Sequence, residues 1–271
     1  MLGWIILAAF LGGAFGLWWT SRRRANPGFL AHAEYWVYLP EAKMPSQDAI
    51  MTRMIQANPH GAGVIGPREG LLFSDIRLHM GLAKREKNPQ LFRPDLFRDR
   101  AEPTPEILAR LADSVALAKL RYVSEVPIPD SRHLRFLLHA ADALAELGGG
   151  TVVYDAITSR LFTAEELRDR LARSPDATGF DDHVTIAWTP LDEVSVTGMT
   201  KMGWPDLVTP RSPSDHRALI LQLMEEVARR IWADGMMESI ELEAYDDRFV
   251  ASVQRMNRDL AVVNIRRFNA P

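Results

Sequence analysis

The sequence contains no cysteine among its 271 residues. Disulfide bonds and metal sites built on thiolates are therefore excluded. Heptad repeats, low-complexity tracts and short-period repeats are also missing, which argues against coiled-coil and solenoid architectures. The pattern of the remaining residues gives no convincing spacing for a metal or a cofactor, so we predict neither.

An excess of positive charge is missing as well. The whole chain carries a net charge of −3, and residues 1–24 carry three arginines and no acid, so the remainder carries −6. A mildly acidic domain is a poor partner for nucleic acid, and we expect no nucleic-acid binding. The residues after 24 are numerous enough for one large domain or two small ones.

One long apolar run stands at the start of the chain. Leu2 to Thr20 reads LGWIILAAFLGGAFGLWWT without a charge, and Arg22, Arg23 and Arg24 follow it. At about 1.5 Å per residue, a helix of this run would be about 28 Å long, close to the thickness of the bilayer hydrocarbon. Tryptophans near both ends are typical of membrane interfaces. The run predicts one transmembrane helix, with residues 1–24 as anchor and basic flank.

The basic flank also predicts an orientation. Positive residues remain on the cytoplasmic side, so we expect the N-terminus outside the inner membrane and the rest of the chain in the cytoplasm. A cleaved signal peptide is the alternative, but it would need a basic start and a small-x-small cleavage site. Ala8, Gly12 and Gly16 form a stripe that permits helix self-association through close packing. The general abundance of glycine and alanine in membrane helices explains the stripe equally well.

The soluble part predicts an α+β protein in two subdomains. After a linker at 25–30, residues 31–126 show the order β-α-β-β-α-β, which is typical of a ferredoxin-like sandwich. Residues 84–103 are polar and rich in proline, and we predict a long surface loop there. Residues 127–271 mix helices and strands without strict alternation and form the second subdomain, which is able to share a core with the first.

One histidine lies in a pattern with known chemistry. His183-Val-Thr185-Ile matches the H-x-[ST]-x strand motif of the two-histidine phosphoesterases. In that family two such motifs face each other, so that one histidine acts as base and the other as acid. This sequence contains a single copy. The alternative is that His183 opens a strand, with its ring paired to the neighbouring Asp181 or Asp182. Those two aspartates could also begin a metal site, although no further ligands are placed by spacing.

One glycine pattern has the letters of a nucleotide-binding motif but not its structural context. Gly61 to Gly66 reads G-x-G-x-x-G, but here a predicted helix leads into the pattern and a strand leaves it. The nucleotide fingerprint needs the reverse order, because the phosphates bind at the start of the helix that follows. We therefore predict an ordinary loop.

A second segment carries a family resemblance. Thr197-Gly-Met-Thr-Lys-Met-Gly-Trp-Pro-Asp-Leu207 resembles a T-x-G-[ML]-x-x-[FM]-G-x-P-[DE]-[IL] segment of uncharacterised bacterial domains of unknown function. The resemblance covers about residues 121–207, and the family often has an aromatic residue where Met202 stands. It implies a shared α+β fold and no established activity or catalytic residue. For Gly198 and Gly203, turn geometry with positive φ is the preferred explanation.

Together these observations favour a membrane-anchored cytoplasmic binding or scaffolding module. Paired carboxylates and nucleophile–base sets with convincing spacing are missing, and a fold alone does not supply a function. A hydrolase that uses His183 and Thr185 is the alternative.

Overall fold

The computed structural model describes residues 31–56, 77–93, 95–98, 103–125, 128, 131–175, 177–211 and 216–268. The predicted membrane helix at 2–20, the linker at 25–30 and the glycine pattern at 61–66 lie outside these residues. Within the described ranges, no helix combines the length and the apolar character that crossing a membrane requires. The α+β class predicted from the sequence is confirmed.

Five strands of the described ranges form the first sheet. They are β1 (Ala31–Leu39), β2 (Leu78–Lys84), β3 (Ala116–Ser124), β4 (Val152–Asp155) and β5 (Arg160–Thr163). Their order is β2-β3-β1-β4-β5, and all neighbours are antiparallel. The central strand β1 buries alternate residues against helices on one face, as the two-residue period of a strand requires.

The described residues contain seven α-helices and two 3₁₀ helices. The α-helices are α1 (Gln47–Gln56), α2 (Asp95–Arg98), α3 (Pro105–Asp113), α4 (Arg132–Gly148), α5 (Ala164–Arg173), α6 (Phe180–His183) and α7 (Arg217–Asp234). The 3₁₀ helices are η1 (Pro89–Phe92) and η2 (Met199–Met202).

Helices cover both faces of the first sheet. On one face, the apolar side of α4 packs with α1 and α5 over β1, β3 and β4. On the other face, α2, α3 and η1 enclose a smaller cluster around Tyr38 and Tyr154. Phe92 and Phe97 are buried in that cluster. The predicted surface loop at 84–103 therefore contains two short helical turns, because these aromatic rings fold back onto the sheet.

The first sheet contains strands from both sides of residue 126. From β1 to β4 the described elements follow in the order β1, α1, β2, η1, α2, α3, β3, α4 and β4, and residues 57–76, between α1 and β2, lie outside the described ranges. The order β-α-β-β-α-β expected at 31–126 stays a prediction, and within that range α1, β2, α3 and β3 follow β1 among the described residues. The apolar stripe of α4, from the range 127–271, covers the first sheet. The strands β4 and β5 of the same range belong to that sheet as well.

In the part of the chain that the structure describes, six strands form the second sheet. They are β6 (Thr185–Trp188), β7 (Val194–Thr197), β8 (Asp206–Val208), β9 (Ser239–Ala244), β10 (Asp247–Arg255) and β11 (Leu260–Arg267). Two antiparallel three-stranded units, β6-β7-β8 and β11-β10-β9, join through the parallel pair β8 and β11. The inward residues of all six strands pack on α7. Because α7 contacts β6 and β7 as well as the opposite edge strand β9, the sheet curves around this helix.

Candidate functional site

Four polar side chains meet where the first sheet contacts the second half of the chain. Tyr35 comes from β1, Asp155 from the end of β4, His183 from α6 and Lys201 from η2. None is more than 1% exposed. We call these four residues the junction cluster. Buried charges are stable only when they are paired and hydrogen-bonded, so the contacts within the cluster decide its role.

An ion pair lies at the centre of the junction cluster. Lys201 Nζ is 2.5 Å from Asp155 Oδ2 and 3.3 Å from the Tyr35 hydroxyl. The Asp155 carboxylate also accepts hydrogen bonds from the backbone N–H groups of Ile157 and Thr158 and from the Thr158 hydroxyl, at 2.7 to 3.3 Å. Burial lowers the pKa of Lys201, and the Asp155 carboxylate opposes that change. The pair therefore connects β4 of the first sheet to η2 of the second half.

His183 is held as a neutral ring. Its Nε2 lies 2.6 Å from the Ala177 carbonyl oxygen, which can only accept, so Nε2 carries the proton. Nδ1 is then the acceptor for the Tyr35 hydroxyl at 3.3 Å. The ring lies nearly parallel to Trp232, with centroids 6.2 Å apart. Burial and the nearby Lys201 lower the pKa of His183 well below its usual range.

The structure corrects the expected surroundings of His183. The residue belongs to α6 and not to a strand, because β6 begins only at Thr185. Neither neighbouring aspartate pairs with the ring: Asp182 binds Arg170 at 2.8 Å and Asp181 binds Arg229 at 2.6 Å. Thr185 is half-buried, and no contact joins its hydroxyl to the His183 ring among the described residues. Nor do the described residues contain a group of three or more potential metal ligands.

The segment from Gly198 to Asp206, which we call the junction segment, brings Lys201 into the cluster. Gly198 has φ +105°. A Cβ atom there would lie 2.1 Å from the His183 carbonyl oxygen and 2.8 Å from Thr158 Cγ2. Glycine is therefore required both for the backbone conformation and for the close approach of the two halves. Gly203 has φ +87° and ends η2.

A carboxylate stabilises the turn of the junction segment. Asp206 Oδ1 accepts hydrogen bonds from the N–H groups of Gly198 and Met199, both at 3.0 Å, and of Thr200 at 3.4 Å. Burial raises the pKa of Asp206 to about 6 although these donors favour the ionised form. The segment is also tied to α4, because His133 Nε2 lies 2.8 Å from the Lys201 carbonyl oxygen. His133 in turn stacks on Tyr122 of β3.

These contacts give the junction cluster a structural role. Tyrosine, histidine, lysine and aspartate are common catalytic residues, but here every one of them is sealed from solvent. A substrate atom has no access to them in this conformation. The ion pair between Lys201 and Asp155 holds the two sheets together.

The sequence indicated only part of this cluster. A motif indicates His183, whereas no motif indicates Tyr35, Asp155 or Lys201 as site residues. Gly198 and Gly203, which a motif also indicates, belong to the junction segment. Lys201 lies in a segment of mostly apolar residues and glycines. That context could have indicated that its charge is buried. Asp155 and Tyr35 stand in regular strand patterns that carry no such signal.

The second half also has a groove that is open to solvent. It has a volume of about 650 Å³ and lies between α7 and the β9–β10 hairpin, with Phe268 at one end. Its floor is formed by Leu223, Leu242 and Phe249. Glutamates and arginines of α7, β9 and β10 line its rim. This groove, unlike the junction cluster, is accessible to another molecule.

Comparisons with known proteins leave the function to be argued from this geometry. No family model, no curated protein and no solved structure matches the chain. The resemblance of residues 121–207 to uncharacterised bacterial domains therefore stays a prediction.

Proposed function

We propose that this chain is a binding module that residues 2–20 tether to a membrane, with the soluble part on the cytoplasmic side. The observation that carries the proposal is the solvent-open groove beside α7, with its apolar floor and charged rim. Concave surfaces of this kind are the usual places where proteins bind partners or ligands. The uncharged run of Leu2 to Thr20 and the arginines that follow it support the tether.

The hydrolase alternative lacks a comparable observation. An acid–base histidine must reach the proton that it transfers, within hydrogen-bond distance or through one water. The His183 ring is fully buried and already bonded through both nitrogens. We therefore propose one function only.

The test compares two exposed apolar residues in the full-length chain. Phe268 lines the groove and is 51% exposed, and Leu191 lies in the turn between β6 and β7 and is 55% exposed. Membranes from native expression are washed with alkaline carbonate, solubilised in detergent and used for affinity capture. We expect the chain in the washed membrane pellet and a partner enriched over a tag-only control. Phe268→Ala should reduce capture at least about 5-fold, since truncated aromatic anchors typically cost more than 1 kcal/mol, while Leu191→Ala should not.

Two results would contradict the proposal. Capture of no specific partner would contradict the proposed binding function. Equal capture by Phe268→Ala and wild type would contradict the proposal that the groove is the binding site. Release of the chain by the carbonate wash would contradict the membrane tether alone.

A further inference from the structure

The strand β9 forms one of the two edges of the second sheet. It joins β10 through a two-residue turn, Tyr245-Asp246, in which both residues have positive φ (51° and 64°). In such a hairpin the pair that flanks the turn is hydrogen-bonded, and hydrogen-bonded and non-bonded pairs alternate from there. Glu243 and Glu241 therefore occupy non-bonded pairs. Their backbone N–H and C=O groups point away from β10, towards the side of β9 on which no described strand is paired.

Two observed hydrogen bonds agree with this alternation. Val253 donates its N–H to the Glu238 carbonyl oxygen at 2.9 Å, as expected for a bonded pair further along the hairpin. Arg230 of α7 donates to the Glu241 carbonyl oxygen, also at 2.9 Å, from outside the sheet. An outward carbonyl on β9 thus already accepts a hydrogen bond, from one guanidinium group. A partner strand would replace that guanidinium.

The charges beside this edge are predominantly acidic. The groove rim contains four glutamates and three arginines: Glu225, Glu226, Glu241 and Glu243 with Arg229, Arg230 and Arg248. Each arginine is already paired with one of these glutamates. Within the described residues, Glu241 makes no ion pair. The turn adds Asp246, whereas Asp247 is paired with Arg267. Among the described residues, the acidic charge that a partner meets at this edge without an ion pair therefore comes from Glu241 and Asp246.

Resting on the binding function proposed above, we infer that β9 accepts an extended segment of a protein partner as a seventh strand of the second sheet. Main-chain hydrogen bonds to Glu241 and Glu243 supply the attachment, and side-chain positions supply the selectivity. Along an added strand, alternate side chains stand beside Glu241 and Glu243 on the outer face of the sheet, where lysine or arginine gives favourable cross-strand pairs. The intervening side chains face the groove and its apolar floor. The partner segment therefore alternates basic and apolar residues.

The direct test is amide hydrogen exchange on the full-length chain in detergent. The probe is a short fluorescein-labelled peptide of alternating lysine and valine. We expect it to slow exchange at the Glu241 and Glu243 amides at least about 10-fold, while the Leu242 amide, which already bonds to β10, changes little. A peptide of alternating glutamate and valine should give no protection.

Two backbone changes separate strand addition from simple charge attraction. Alternate N-methylation of the probe removes its hydrogen-bond donors but keeps every side chain, and should weaken binding in fluorescence anisotropy at least about 10-fold. Glu241→Pro removes an outward N–H without breaking the bonds to β10, because proline is tolerated at an outward-facing edge position. It should weaken binding to a similar extent. Glu241→Gln is the matched control, which keeps the N–H and should cost only about 3-fold.

Each outcome decides the inference. Protection of both amides together with loss of binding on N-methylation supports strand addition. An unprotected edge, or binding that survives N-methylation, overturns it, and the N-methylated probe gives this answer even if Glu241→Pro fails to fold. A native partner that is captured equally by wild type and Glu241→Pro also overturns strand addition, while leaving the binding function intact.

Discussion

At the scale of single residues, Lys201 shows how the contacts of a buried charge stabilise it. Its ammonium group has no exposure, yet it contacts a carboxylate, a hydroxyl and the face of the Tyr35 ring. An unpaired charge at this depth would cost several kcal/mol. Asp155 is satisfied independently by three hydrogen bonds from residues 157 and 158. Loss of Asp155 would therefore leave the Lys201 ammonium group with fewer polar contacts than loss of Lys201 would leave the Asp155 carboxylate.

Asp206 gives a prediction about pH. Its pKa is about 6 in the folded chain, above the ordinary value of 3.8. The folded state then binds more protons than the unfolded state in this window, so the contribution of Asp206 to stability is complete below about pH 4 and is lost as pH rises through about 6. Relative to Asp206→Asn, the wild-type free energy of unfolding should fall by about 2 kcal/mol between pH 4 and pH 7. Urea unfolding across this range measures the difference.

The exposed Asp113 provides the control for that measurement. Asp113→Asn is unfolded under the same conditions, so that the general effect of removing a carboxylate is measured beside that of Asp206→Asn. A pH-independent difference for Asp206→Asn would show that burial does not dominate its titration.

At the scale of elements, local signals in the sequence were sufficient for many helices and strands. Thr163 and Glu166 stand three positions apart, which is the spacing of a capping box, and both hydrogen bonds of that box are present at the start of α5. The apolar stripe of α4 and the left-handed Gly149 at its end also follow from the sequence, although the Ser131 side chain makes no capping hydrogen bond. These features depend on residues three or four positions apart, and such spacings are visible without a structure.

Elements and contacts that depend on distant residues were not predictable in the same way. The buried turns η1 and α2 lie in a segment whose charges and prolines are typical of a loop, and only packing on Tyr38 and Tyr154 reveals them. The junction cluster joins Tyr35 to Lys201 across 166 positions of the chain. A single sequence contains no periodic signal at that separation. The candidate site therefore had to come from the structure.

The junction segment makes a prediction about two glycines. Gly198→Ala should destabilise the chain by about 3–5 kcal/mol, because the new methyl group would meet the His183 backbone and the left-handed conformation would be strained. Gly81 in β2 is the matched control, since a Cβ atom there has no neighbour within 4 Å. Gly81→Ala should be neutral or stabilising by about 0.5–1 kcal/mol. Thermal unfolding of both variants measures the contrast, and similar losses in the two would refute the requirement for Gly198.

At the scale of the whole molecule, the junction cluster couples two sheets that have separate cores. One core lies under α4 and the other under α7. Lys201 and Asp155 belong to different halves, as do His183 and Tyr35. We therefore expect the two sheets to unfold together while the ion pair is intact.

Two substitutions test this coupling. Asp155→Asn leaves the lysine without its carboxylate and should cost about 3–5 kcal/mol, whereas Lys201→Met leaves a carboxylate that keeps three donors and should cost less. The double variant should lose less than the sum of the two. Hydrogen exchange should report one opening free energy for β3 and β10 in wild type and two different values in Asp155→Asn. Equal opening of both sheets in that variant would show that the pair does not couple them.

The separation of the ion pair along the chain also has a consequence for biosynthesis. Lys201 follows Asp155 by 46 residues, so at about 5–20 residues per second the ribosome delivers the lysine about 2–9 s after the aspartate. The strands of the first sheet have all been synthesised by then, because β5 ends at Thr163. During this interval the Asp155 carboxylate lacks the Lys201 ammonium group, which contacts it directly in the folded chain. Vectorial synthesis thus makes docking of the second half a late step, and the cost of removing Asp155 from water arises only when its counter-ion has emerged.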